Sequence, residues 1–193
     1  MARETTRRLS GLDVEAGLSV RRFWRELNSE QRRWIVFNAL LVTTLINFVL
    51  NAGFAWLSVR GQHSVPLWAL NGTPSTITDT VGTFFFLPVI TCLIFTRVIW
   101  WQLRSGRLAP LRGEVVPPVL ARLPRQRLKR GLALGGISIA VLTPPAVVVL
   151  VATDFGGVST GTFVLYKAVL GVVLGALVTP VIAVLAMADL RRG

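Results

Sequence analysis

Polar and apolar positions alternate along this chain in long blocks rather than short periods. Residues 35–59, 80–96, 131–153 and 168–188 contain no Asp, Glu, Lys or Arg. With their flanks, such runs are long enough to cross a hydrocarbon core of roughly 30 Å as helices. The pattern predicts an all-α integral membrane protein with four transmembrane helices over about 34–59, 77–101, 131–153 and 162–188. It divides the chain into an N-terminal segment (1–33), a transmembrane domain (34–189) with a polar loop at 102–130, and a short tail (190–193).

Upstream of the first run the period shortens. Val20, Phe23, Trp24, Leu27 and Trp34 recur at helical spacing among arginines. This predicts an amphipathic helix lying in the headgroup layer, with Arg21, Arg22, Arg25, Arg32 and Arg33 contacting anionic lipid. Asn28 followed by Gln31 reads as a capping box that restarts the helix before the first span. In the 102–130 loop, Pro118 is expected to open a short helix reaching Leu123. The rest of that loop reads as a basic, semi-rigid surface strap.

Charge sets the direction of threading. The net charge is +12, and of the 21 Lys and Arg all but Arg60 and Lys167 lie before the first span, in the 97–130 region or at the C-terminus. Basic loops resist translocation. Both termini are therefore expected in the cytoplasm of a multi-pass protein of the plasma (inner) membrane. Insertion accounts for the basic residues, so no nucleic-acid partner is expected. The heavy use of Arg over Lys suggests a GC-rich bacterial source, where Asn71-Gly72-Thr73 would not act as a glycosylation site. Residues 1–33 lack an apolar core, so the first span is expected to serve as an uncleaved insertion signal. Trp56 and Trp68 suit one interfacial belt, and Trp34, Trp100 and Trp101 the other.

A short likeness recurs. Phe86-Leu87-Pro88-Val89-Ile90-Thr91 and Val178-Thr179-Pro180-Val181-Ile182-Ala183 stand 92 positions apart. That offset lays the first span on the third and leaves open a tandem repeat of two-helix hairpins. Pro88, Pro144, Pro145 and Pro180 are expected to kink their helices, with the adjacent pair able to break the third span. Lys167, Gly171, Gly175, Thr179 and Ala183 recur every fourth residue, and Gly131 and Gly135 repeat the spacing. These mark helix-packing grooves.

Candidate chemistry is sparse. Ionisable groups at membrane depth are costly and suggest function. Asp79 and Lys167 qualify, at depths that a lysine stem can bridge. Asn47 and Asn51 share one helix face, which should meet another helix. Arg97 and Asp189 are placed to pair at the basic side. One histidine and one cysteine supply neither a metal site nor a haem ligand pair, and no catalytic set is evident, so no cofactor is expected. Three functions remain. The first is non-enzymatic action by helix association, as an accessory subunit of a membrane complex or with a second copy. The second is an oligomeric transporter or channel using Asp79, Lys167 and the asparagines. The third is a lipid-modifying enzyme, for which His63 is the sole nominee.

Overall fold

In a computed structural model the protein is described at residues 25, 27–69, 74–111, 116–153, 155 and 157–189. Four helices are long and apolar enough to cross a membrane: Ser29–Val59, Thr76–Arg104, Arg127–Ala152 and Thr160–Asp189. The first divides into α1 (Ser29–Trp34), a π-helical stretch (Ile35–Val42) and α2 (Thr43–Val59). The others are α3 (Thr76–Arg104), α5 (Arg127–Ala152) and α6 (Thr160–Asp189), and a single turn, α4 (Pro118–Ala121), precedes α5.

The ends of these helices have local causes. Asn28 Oδ1 accepts from Gln31 N–H at 2.7 Å and Gln31 Oε1 accepts from Asn28 N–H at 3.1 Å, so the expected capping box starts α1. The π-helical stretch ends where Thr43 hydroxyl donates to Asn38 carbonyl, five residues back, at 2.9 Å. Gly106, at φ 70°, terminates α3. A residue with a Cβ is disfavoured in that left-handed conformation. Pro118 opens α4 as expected.

The four prolines do not interrupt their helices. Pro88 lies within α3, Pro144 and Pro145 within α5, and Pro180 within α6. The expected break at 144–145 is absent because proline's fixed φ suits a helix. In hydrocarbon no water competes for the remaining backbone bonds, so helix persists on both sides.

The helices stand in a row rather than a closed bundle. α2 packs on α6, α6 on α3, and α3 on α5, whereas the chain neighbours α2–α3 and α5–α6 share little contact. α6 buries more than half of its most apolar window, while the first span and α5 bury less than a quarter. Lipid is as apolar as leucine, so close van der Waals fit rather than apolar burial holds such helices together. Glycines supply that fit. A Cβ at Gly131 would lie 3.1 Å from Val89 Cα, and one at Gly135 would lie 2.9 Å from Phe85 carbonyl oxygen. At Gly171 and Gly175 a Cβ would overlap the side chains of Asn51 and Asn47.

One end of the row carries the basic residues. There Leu27, Trp34, Ile35, Ile99 and Leu103 pack with the last residues of α6. Leu108, Leu111 and Val116 of the following loop are buried in the same cluster, and Leu111 N–H donates to Met187 carbonyl at 3.2 Å. That loop is thus anchored at apolar points, where a purely superficial strap was expected. Trp34 also departs from expectation. It is buried and its Nε1 donates to Gln102 Oε1, so it belongs to the protein interior rather than to an aromatic belt.

The opposite end is tied by a feature the hydropathy pattern does not announce. Ser64–Val65 (β1) and Val158–Ser159 (β2) form a two-residue antiparallel ladder joining the two loops. Gly61 and Gly157, both at positive φ, turn the chain into it. Beneath the ladder Ala55, Val59, Val65 and Phe163 are fully or nearly fully buried.

Candidate functional site

Near the ladder end, α2 and α3 stand apart over a floor formed by α6. The cleft between them encloses about 440 Å³. Leu50 and Phe54 of α2 and Phe86, Leu87 and Ile90 of α3 supply its apolar walls. Asn47, Asn51, Asp79, Thr83 and Lys167 supply its polar lining.

The polar groups are placed by simple spacing. Asn47 and Asn51 lie four residues apart on α2 and project together onto α6. Opposite Asn51, a Cβ at Gly171 would lie 2.9 Å from the Asn51 Cβ, which cannot turn aside, so glycine is required there; at Gly175 a Cβ would overlap the amide nitrogen of Asn47, the end of a flexible side chain. Asn51 Nδ2 donates to Asn47 carbonyl at 2.9 Å within its own helix. Asn47 is 6% exposed, and its Nδ2 finds no acceptor among the described residues. An amide donor left unpaired at this depth costs about 1–3 kcal/mol. That donor lies against Gly175 of α6, while other atoms of Asn47 line the cleft.

Lys167 rises from α6 toward α3. Its Nζ forms an ion pair with the Asp79 carboxylate, donates to Asp79 carbonyl oxygen at 3.1 Å and donates to Thr83 Oγ1. All three ammonium protons can thus be satisfied by one turn of α3. The lysine is 4% exposed and its partner 32%. The cation is sealed in the protein while the anion borders the opening. Thr83 follows Asp79 by one helical turn and lies on the same face, and that i, i+4 relation is the signal by which the sequence could have nominated it. Beside this pair, the hydroxyls of the adjacent residues Tyr166 and Thr80 meet at 2.8 Å.

The remaining predicted residues fall elsewhere. Thr179 lies further along the glycine face of α6, fully buried, with its hydroxyl unpartnered among the described residues. Gly131 and Gly135 serve the α3–α5 contact. His63 is exposed beside β1 and does not line the cleft. Arg25, Arg32 and Arg33 are exposed at the basic end, whereas Arg21, Arg22 and most of the expected amphipathic helix lie outside the described residues. The expected Arg97–Asp189 pair is not formed. Arg130 takes Asp189 instead, through Oδ2 at 2.8 Å, and its Nε donates to Pro124 carbonyl at 2.9 Å. Arg130 begins the buried inner face of α5 and is 1% exposed, whereas Arg97 points outward. The interior carboxylate is therefore met by the interior arginine.

Comparison with protein-family models, with curated proteins and with solved structures finds no match to this chain.

Proposed function

We propose that this chain is a non-enzymatic membrane protein that holds a small polar or amphiphilic ligand in the cleft between α2 and α3. The observation that carries this reading is a cleft with apolar walls that reaches a buried ion pair, whose carboxylate borders the opening. A ligand's polar group would meet the accessible edge of Asp79 and, with the Asn47 amide turned away from Gly175, its Nδ2 donor. Its apolar part would run along Phe54, Phe86 and Ile90. Ligand sites combine apolar walls with a few convergent polar groups in this way.

The ladder end faces outward and both termini lie in the cytoplasm, following the distribution of basic residues. The cleft would then open in the outer half of the bilayer. It does not extend to the basic end, and a row of helices encloses no central channel, so capture and handover suit the geometry better than free permeation.

Action by association draws on the thin loops, the small-residue grooves and the basic face of the chain. Gly131, Gly135, Gly171 and Gly175 are all occupied by neighbouring helices of the same chain. A partner protein or a second copy would have to meet the outer faces of α2 and α5 instead. Lipid covers such faces equally well, so this remains the second reading.

Gly82 offers the test. It lines the cleft, and a Cβ there would meet nothing within 4 Å. Gly82→Leu should fill the cleft while leaving the fold intact. Native mass spectrometry of gently extracted protein is expected to show a retained small molecule in the natural chain and its loss in Gly82→Leu. A molecule retained equally by both would contradict the reading.

A further inference from the structure

A second concave surface lies at the basic end, further along the same face of α3, where the start of α5 meets it. It is lined by Arg97, Trp100, Arg125 and Arg127 with the apolar side chains of Leu93, Ile94, Val98 and Leu128. Arg97 and Arg125 are exposed, and no carboxylate pairs with either or with Arg127 among the described residues. Arg127 guanidinium stacks over the Trp100 ring at 5.3 Å, which fixes its position and leaves its edge open. Trp100 Nε1 is buried, without an acceptor among the described residues. Three cations thus line one groove, and no acid lines it among the described residues. The first turn of α5 adds to this, having neither an acidic residue nor a side-chain cap on its free N–H groups.

Beyond the arginines the groove becomes apolar. Ile94 and Leu128 are 60% and 54% exposed and continue the surface toward the middle of the row. Positive charge at one end and an exposed aliphatic track leading away from it match a molecule with an anionic head and hydrocarbon tail. We propose that this groove binds one anionic phospholipid, its phosphate among Arg97, Arg125 and Arg127 and its acyl chain along Ile94, Val98 and Leu128. Basic pockets between membrane helices recognise phospholipid headgroups through the same chemistry. The site is separate from the α2–α3 cleft, and it does not depend on what that cleft holds.

The test is lipid retention. The full chain is reconstituted in mixed phosphatidylcholine–phosphatidylglycerol vesicles in which phosphatidylglycerol is the minor component. It is then extracted gently and read by native mass spectrometry. The expected result is one retained phosphatidylglycerol, in excess of its share of the vesicle. Arg97→Gln, Arg125→Gln and Arg127→Gln combined should lower that retention by at least tenfold, at about fivefold for each surface arginine. Arg104→Gln and Arg107→Gln combined, exposed at the same end but outside the groove, should leave it in place. If the first triple variant does not fold, Arg125→Gln alone, at an exposed loop position, should lower retention about fivefold. Retention of the two lipids in proportion to their abundance would overturn the proposal. So would undiminished retention of phosphatidylglycerol in the groove variants, or an equal loss in the control variant.

Discussion

Lys167 and Asp79 form an unequal pair, and the inequality has consequences. The ammonium is sealed inside the protein, and the carboxylate is a third exposed. Removing the anion strands a buried cation, which costs on the order of 3 kcal/mol. Removing the cation leaves an acid that reaches the surface, at about 1 kcal/mol. Asp79→Asn should therefore lower the melting temperature in detergent more than Lys167→Met does, and the double variant should recover most of the loss. Equal effects of the two single changes, or strictly additive ones, would show that the pair is not coupled as described. At this scale the sequence was largely legible. Two ionisable groups at membrane depth, and two amides on one face, named most of the site. Thr83 and Gly82 stand outside that reading, because neither is costly at that depth: Thr83 is signalled only by its i, i+4 relation to Asp79, and Gly82 only by the cleft it lines. The Arg97–Asp189 pairing failed for a related reason: depth along a helix can be counted, but the face each helix turns inward depends on its packing partner.

Helices and their caps were read more easily than their contacts. The four helices end within five residues of the expected spans, and the Asn28–Gln31 box and the Pro118 turn lie where the sequence puts them. The π-helical stretch, the β1–β2 ladder and the unbroken passage through Pro144–Pro145 were not legible. Each depends on backbone bonds that no side-chain pattern reports. The helix pairing itself rests on the glycine face of α6. Gly171→Ala would press a methyl against Asn51, whose Cβ lies 2.9 Å from the added group, and should destabilise the protein by about 1–3 kcal/mol, a cost typical of overpacking. Asn51→Ala in the same chain should relieve part of it, because the overlapping amide is gone. A Gly171→Ala variant that melts with the natural protein would show that α2 does not approach α6 as closely as described.

The order α2–α6–α3–α5 gives the whole molecule its character. Exchanging the first span with the third and the second with the fourth returns the same order reversed, which supports a tandem repeat about an axis along the membrane normal. The glycine contacts do not follow that exchange. Placing α6 and α3 at the centre leaves α2 free to stand away from α3, and the cleft results. Its outward placement is tested by single cysteines at Gln62 and Ser105 in a chain lacking Cys92. A membrane-impermeant maleimide on intact cells should label the first and spare the second, and the reverse pattern would invert the topology. The central claim, that the cleft is a ligand site, is tested most directly by an electron cryomicroscopy map of the protein reconstituted in lipids from its source membrane. The account predicts non-protein density running from Asn47 and Asp79 toward Ile90. A map in which α2 closes on α3, with the Asn47 amide bonded to a protein acceptor and no such density, would contradict it.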